Sequence, residues 1–496
     1  MNFCAELRAL ARQNSDKLAL LGAHGVMSRA ELDGAAMNFA RWLRAEGVVP
    51  GERVAVHGTN TADIVVTLLG CFYAGIVAVP LNTRFKPAEI QYVLNHSRPR
   101  LCFSQPALAD SVLSVQSEIP GLAEVRTGPP PGLPGSDLGG PDADAPAAIL
   151  YTSGTTANPK GVTHTHRTLA ASAATMRASG LDESAVAVVA MPVMHAAGLC
   201  GSLLSALAAG ATVVLPSGPD AAALLDSIER WNGTWTLGLP AIMRLVAAEQ
   251  ERQPRPLASM RHWLAGGDSV PVDLLRRWER LFGRPLIEGY AMTESCAIAY
   301  NPISDVRPGS IGRPADGVDV RVINLDGTPA ADSSPAADGH VGELAVLSPA
   351  NFIGYWNDPA ATASALVNGW LITGDLGLRD AEGYIWFRGR RKELIIRGGS
   401  NVSPLEVEKA LRQFPAVIEA GVVGVPDEAF GERVVAFVAI RAGHAGDEAE
   451  LRRFCRDLLA DYKIPERVGF LPALPKGPTG KPLRRALREM AIEAGF

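Results

Sequence analysis

Three features of the sequence predict an α/β fold with a parallel sheet and helical crossovers. Helix-like and strand-like stretches alternate from residue 28 through Phe103, the order expected when parallel strands are joined by crossing helices. Two charge-free windows, 64–81 and 196–219, each break at glycines into a helix-like half and a β-branched half. At Gly389 the composition turns to a run of charges, and the chain beyond it reads as a smaller α+β unit.

The elements support this in order. Ser28-Arg29-Ala30-Glu31 is a capping box, in which a hydroxyl and a carboxylate satisfy each other's backbone N–H groups. Leu32, Ala36, Phe39, Ala40 and Leu43 follow at helical spacing, Gly47 ends that helix, and 53–57 is the next strand. The window 64–81 is just long enough to span a bilayer, but Gly75 and Pro80 split it, so a buried helix and strand are expected. Residues 127–145, rich in Pro, Gly and Asp, read as a solvated loop and a subdomain seam. Strands are expected at 147–150 and 186–190, and 196–219 ends in the strand-like ATVVLP. Further on, 380–383 is a hairpin-like turn before a strand at 384–388. A helix starts at Pro404 under a capping box around Ser403, and 419–425 and 433–440 are strands.

Bulk properties narrow the function classes. The 496 residues suffice for about three to four domain-sized units. Basic and acidic residues number 47 and 52, and no block of Lys and Arg stands out, which argues against a nucleic-acid surface. Cys4, Cys71, Cys102, Cys200, Cys296 and Cys455 are far apart with no C-x-x-C pair, the usage of reduced structural thiols in a cytoplasmic protein. Glu6 and Arg8 come early, and no signal-peptide pattern surrounds them.

The stretch richest in chemistry is 151–166, YTSGTTANPKGVTHTH. Thr152, Ser153, Thr155 and Thr156 surround Gly154, and Lys160 follows a proline. Hydroxyls, backbone N–H groups and a lysine in one loop suit phosphate oxygens. It is not a Walker A loop, because Gly161 rather than Ser or Thr follows the lysine. Downstream come MPVMHAAG around His195, the glycine turn Gly266-Gly267-Asp268, and Gly289-Tyr290-Ala291-Met292-Thr293-Glu294. Next are Thr373-Gly374-Asp375, the charged run Arg390-Arg391-Lys392-Glu393, Gly398-Gly399, and Thr479-Gly480-Lys481.

Taken together and in this order, these motifs resemble those of the adenylate-forming superfamily, which includes acyl-CoA synthetases, stand-alone adenylation domains and luciferases. Ala157 and Ala291 stand where that family usually has glycine. The resemblance implies a large N-terminal domain, 1–389, of two doubly wound α/β sheets plus a small β-barrel. It implies a hinge at 390–393 and a mobile α+β C-terminal domain, 394–496. ATP, Mg²⁺ and coenzyme A are the implied cofactor set. The loop 152–156 and Lys160 would hold the outer phosphates, Gly266, Gly267, Asp268, Gly289, Tyr290 and Ala291 would meet the adenine, and Thr293 the α-phosphate. Glu294, with Thr155, would hold the metal. Asp375 and Arg390 would bind the ribose, Lys392 would be the pivot, and Lys481 the catalytic lysine. The Gly398–Gly399 loop would line a pantetheine tunnel. His195 would gate the acyl carboxylate, with Ala196, Ala197, Gly198 and Gly289 against the acyl group.

The 194–197 segment offers no aspartate for a substrate amine, and Gly289 stands where malonate-type relatives carry a base. An apolar acid is therefore expected: a medium- or long-chain fatty acid, or an aryl or alicyclic one. The implied activity is AMP-forming acyl-CoA ligation. An acyl-AMP ligase loading a carrier-protein thiol is the alternative, and a non-catalytic nucleotide-binding relative is a third reading. No nucleic-acid partner and no transmembrane segment are expected, and a homodimer is the expected assembly by frequency alone.

Overall fold

The computed structural model describes residues 2–22, 25–128, 132–152, 159–324, 341–441, 443–444, 446–476 and 482–496. The chain divides into two compact units: Met1–Val320 with Val346–Ile372, and Arg321–Ala345 with Thr373–Phe496.

The first unit is built on two large sheets. One has nine strands in the spatial order Arg313–Pro314, Cys296–Tyr300, Leu286–Met292, His262–Gly266, Trp235–Gly238, Val186–Val188, Thr212–Leu215, Leu18–Gly22, Gly25–Ser28. The other has seven, in the order Gly354–Tyr355, Gly161–Thr165, Pro146–Tyr151, Val77–Leu81, Arg53–His57, Leu101–Ser104, Glu124–Thr127. The middle of each sheet is parallel, as the helix–strand alternation predicts. One edge of the seven-stranded sheet, Glu124–Thr127, is also parallel, while its other edge and both edges of the nine-stranded sheet are antiparallel, Gly161–Thr165 returning directly on Pro146–Tyr151 and Cys296–Tyr300 on Leu286–Met292. The connections 152–160 and 293–295 are shorter than the roughly twelve residues a parallel crossover needs, so the chain reverses at each as a hairpin.

The capping box at Ser28 is formed in both directions, and its helix runs Arg29–Ala45. Gly47 follows with φ +77°, a left-handed turn that glycine adopts without steric cost. The window 64–81 divides as expected into the helix Ala62–Tyr73 and the strand Val77–Leu81. All five strand residues are buried, which is why it reads as an unbroken apolar run rather than an alternating one. Trp263, Trp278 and Phe282 pack under the nine-stranded sheet, the two indoles edge-to-face with centroids 5.0 Å apart. Each large side chain so removed from water stabilises the fold by roughly 1.5–3 kcal/mol.

Two expectations need correction. Residues 127–145 are not a seam, since the strands on either side, Glu124–Thr127 and Pro146–Tyr151, belong to the same seven-stranded sheet. The helix Pro404–Leu411 begins where expected, but no capping box forms. The Ser403 hydroxyl donates instead to the Arg388 carbonyl at 2.6 Å.

The second unit carries the α+β sheet Ser400–Val402, Ile395–Arg397, Gly431–Ile440, Val417–Asp427, with Arg467–Phe470 parallel to Gly431–Ile440. Its core includes Val402, Val422, Val434, Ala436 and Leu451. All six cysteines are buried and free. Among the described residues, no helix is long and apolar enough to cross a membrane.

Candidate functional site

Parallel strands deliver their C-terminal ends to one edge of a sheet, and the sequence motifs sit at those ends. In the nine-stranded sheet, Val186–Val188, Trp235–Gly238, His262–Gly266 and Leu286–Met292 are parallel neighbours. They carry the His195 segment, Gly266–Asp268 and Gly289–Glu294 to the same edge. In the seven-stranded sheet, Pro146–Tyr151 is parallel to Val77–Leu81 and delivers Thr152.

Three ties join the two sheets there. His164, on Gly161–Thr165, donates from Nε2 to the Thr293 carbonyl at 2.8 Å. The Tyr355 hydroxyl donates to Glu294 Oε1 at 2.8 Å. Asn60 bonds to the backbone leading to His195. Glu294 is 9% exposed, and its carbonyl accepts from Phe352 N–H at 2.7 Å. Lys160 Nζ lies 4.6 Å from the centroid of the Tyr355 ring. Burial, then the Glu294 carboxylate, pushes the Tyr355 hydroxyl upward, so it stays a donor. One tyrosine thus contacts both the candidate metal carboxylate and the candidate phosphate lysine.

The rim of the hydroxyl loop is firmly held. Thr152 N–H donates to the Lys160 carbonyl at 3.0 Å. Tyr151 shares a 2.7 Å hydrogen bond with His96, which stacks on Tyr92, and the Tyr92 hydroxyl donates to the Pro159 carbonyl. A side chain at Gly161 would meet Ile149 Cγ2 at 2.8 Å, so the hairpin needs glycine there. Ser153, Gly154, Thr155 and Thr156 lie outside the described residues, as does Lys481.

Gly266 stands opposite Gly289 in the ladder, and a Cβ on Gly266 would be 3.0 Å from the Gly289 carbonyl oxygen. Gly267 turns with φ +81°, and Asp268 is exposed. The ladder between Leu286–Met292 and Cys296–Tyr300 shifts register between Tyr290 and Ala291, a bulge of the kind found where a strand re-aims side chains. Ala291 is not among the residues with positive φ, so alanine fits there without strain. His195 is half-buried and precedes the short helix Ala196–Gly198; burial, and secondarily the Arg84 cation, lowers its pKa. Ala196 and Ala197 are half-buried, and Gly198 is packed so closely that a Cβ would be 2.1 Å from the Pro192 carbonyl oxygen. A six-residue π-helix, Leu199–Leu204, follows, a distortion common at functional sites.

The second unit brings its own candidates together. Asp375, 2% exposed, lies opposite Arg390 in the ladder, with Arg390 Nε 3.2 Å from its Oδ1. Gly374 N–H and Arg391 both bond to the buried Glu343 carboxylate. Lys392 is exposed in the short 3₁₀ turn Arg391–Glu393. Gly398 and Gly399 both have positive φ and join Ile395–Arg397 to Ser400–Val402, the geometry of a two-residue type I′ hairpin. Lys476 and Pro482, on either side of Lys481, form a β-bridge. The helix beyond Pro482 is anchored by Arg484, which bonds Glu393 at 3.0 Å, Glu408, and the Val422 carbonyl at 2.7 Å.

Sequence reasoning missed Tyr355, His164, Asn60 and Arg484. Each works through a partner at least 61 residues away in sequence; His164 lies inside the 151–166 stretch without a role read from it, and no local motif marks the other three.

A metal would meet a sparse protein shell here. Among the described residues, no group of three or more His, Cys, Asp or Glu side chains could hold an ion. Glu294 offers a hard carboxylate oxygen beyond the one that accepts from Tyr355. A single carboxylate supplemented by substrate phosphates and water is the usual shell of Mg²⁺, so the residues present fit that ion.

Comparison with known proteins agrees along the whole chain. Residues 7–356 match the family described as AMP-binding enzyme, and 406–481 match the AMP-binding enzyme C-terminal domain. The chain is 37% identical to a sulfoacetate–CoA ligase of Cupriavidus necator over 90% of its own length and 89% of the relative's. It is 34% identical to an indoleacetate–CoA ligase of Aromatoleum aromaticum, covering 95% and 94% of the two chains. ATP-bound MatB from Rhodopseudomonas palustris superposes with a TM-score of 0.90 at 31% identity, with each chain fully covered.

Proposed function

The chain belongs to the AMP-binding enzyme family and is an AMP-forming acid–CoA ligase, and from that premise we propose that it activates an apolar, aryl or alkyl, carboxylic acid. The ligase activity uses ATP and CoA. What supports the finer reading is the gate segment. Ala196, Ala197 and Gly198 place small, uncharged residues after His195, and the tight packing of Gly198 fixes their course. The relative named for indoleacetate handles an acid of this class.

A free carboxylate is a poor acyl donor, because oxide is a very poor leaving group. In the first half-reaction a carboxylate oxygen attacks the α-phosphorus of ATP and the bond to pyrophosphate breaks, leaving acyl-AMP. The chain's task is to position the reactants and neutralise charge. Lys160 and the loop 152–156 serve the outer phosphates, and Thr293 the α-phosphate. Glu294, steadied by the Tyr355 hydroxyl, would hold Mg²⁺, which when bound spreads the pyrophosphate charge. Tyr290 with Gly266–Asp268 receives the adenine, and Asp375 with Arg390 the ribose. Lys481 neutralises charge where the carboxylate meets the α-phosphate. In the second half-reaction the CoA thiolate attacks the acyl carbon and AMP leaves with the electron pair. We assign 1–389 and 394–496 as the functional domains and 390–393 as the hinge, with Lys392 as pivot and Gly398–Gly399 serving the thiol step.

A second acid class has its own support. The sulfoacetate–CoA ligase relative is named for a small dianionic acid, and the Arg84 cation acts on His195. Acid-dependent pyrophosphate release with arylacetates, cinnamates, C8–C16 fatty acids and sulfoacetate separates the two. Turnover highest with the aryl or alkyl acids supports the apolar reading, and turnover highest with sulfoacetate overturns it.

A further inference from the structure

We propose that Asn60 is a positioning residue for the acid-binding gate, acting on His195 through the backbone of residues 189–193. The inference rests on the reading that His195 stands beside the acid.

Asn60 lies in the loop after the strand Arg53–His57 of the seven-stranded sheet. Its Nδ2 donates to the carbonyls of Val189 at 3.0 Å and Met191 at 2.9 Å, and its Oδ1 accepts from Val193 N–H at 2.9 Å. All three partners belong to the stretch that leaves Val186–Val188 of the other sheet and runs to His195. That strand is short, and Val189 N–H still bonds across the sheet to the Val214 carbonyl at 2.9 Å. Past that point Asn60 supplies the bonds that a neighbouring strand would otherwise give. Two donors and one acceptor on so short a side chain are particular to an amide: aspartate lacks the donors and leucine lacks all three groups.

The loop that presents Asn60 is itself fixed. Gln105 Oε1 accepts from the Thr59 N–H at 2.8 Å and its hydroxyl at 3.0 Å, and Gln105 Nε2 donates to the Thr61 hydroxyl at 2.9 Å. Gly58 has no room for a side chain, since a Cβ would lie 2.4 Å from Ile64 Cδ1. On the far side the gate closes on itself. His195 N–H donates to the Pro192 carbonyl at 3.0 Å, Leu199 N–H to the His195 carbonyl at 2.8 Å, and Gly198 packs against Pro192. The chain from Gln105 through Asn60 to residues 189–193 therefore sets where His195 stands. None of these residues needs to touch the acid to do so.

The test varies acid and ATP separately in pyrophosphate release, using the acid with the highest turnover among the arylacetates, cinnamates, fatty acids and sulfoacetate. Parent, Asn60→Ala, Asn60→Asp and His195→Ala are compared, each with a thermal melt and an ATP affinity from calorimetry. Asn60→Ala should raise KM for the acid about tenfold, equivalent to about 1.4 kcal/mol, with KM for ATP and the ATP affinity within about twofold of the parent by the same measure. Asn60→Asp should be worse, because its carboxylate faces two carbonyl oxygens. A purely structural role would lower the melting temperature and turnover without favouring one substrate, and that result overturns the proposal. If His195→Ala raises KM for the acid and Asn60→Ala does not, the coupling is wrong. If His195→Ala leaves it unchanged, the gate reading beneath the proposal is wrong. Should Asn60→Ala fail to melt cooperatively, Gln105→Ala keeps the Asn60 amide but frees its loop, and must show the same acid-selective rise for the proposal to stand.

Discussion

Replacing Glu294 by glutamine separates the charge of this residue from its shape. The Tyr355 hydroxyl donates to Oε1 at 2.8 Å, and an amide oxygen there accepts the same bond. The 2.7 Å bond from Phe352 N–H goes to the backbone carbonyl of residue 294 and does not depend on the side chain. A hydrogen bond to a charged acceptor contributes about 1.5–3 kcal/mol and one to a neutral acceptor about 0.5–1.5 kcal/mol, so the bond weakens by about 1 kcal/mol. Relief from burying an ionised carboxylate offsets part of that. The melting temperature should then move by no more than about 2–4 °C. Catalysis should change far more. The variant loses the negative oxygen that fits Mg²⁺, and removing one preorganised group of this kind costs about 10²–10³ in rate. Adenylation should fall at least about tenfold, or about 1.4 kcal/mol in barrier. The assay is pyrophosphate release at fixed ATP across a Mg²⁺ titration. High Mg²⁺ should restore part of the loss, since occupancy recovers while the ligand charge does not. A titration superimposable on that of the parent at limiting Mg²⁺ would remove Glu294 from the metal site.

Three further substitutions probe the rest of the site. Tyr355→Phe keeps the ring beside Lys160 but removes the donor to Glu294, and should lower adenylation about tenfold. Tyr355→Leu removes both contacts and should lower it further, so equal losses in a pyrophosphate-release assay would show that the 4.6 Å lysine–ring contact contributes nothing. Ala197→Trp should exclude long or bulky acids and spare short ones, since packing differences of one methylene are worth about 1–3 kcal/mol. A uniform loss across chain lengths in the acid panel would instead report damaged folding.

The sequence carried more of the strands than of the site. Helix starts such as Ser28, and divided windows such as 64–81, are local chemistry and could be read directly. The hairpin returns at the sheet edges were not legible, because a short strand announces itself without announcing its direction. Ser403 shows the limit of a local rule: its hydroxyl had a capping partner in sequence but found the Arg388 carbonyl in space. Asp375 and Arg390 were named from separate motifs, and only the ladder register sets them opposite each other. Tyr355 and Asn60 carried no motif at all. Their roles come from two sheets meeting at one edge, and periodicity along a single strand holds no record of that meeting.

In the proposed division of labour one chain performs two half-reactions with different groups, and assaying the two steps separately in Lys481→Ala distinguishes them. Lys481 should compensate charge only as the carboxylate attacks the α-phosphate, so acyl-AMP formation should fall about 10²–10³-fold. Given preformed acyl-AMP and CoA, the same variant should make thioester at nearly the parent rate. Lys392→Pro, which fixes φ at the pivot, should do the reverse once a thermal melt shows it folded: adenylation largely kept and thioester formation blocked. Equal losses in both steps for Lys481→Ala would contradict the division of labour, even with ligase activity intact.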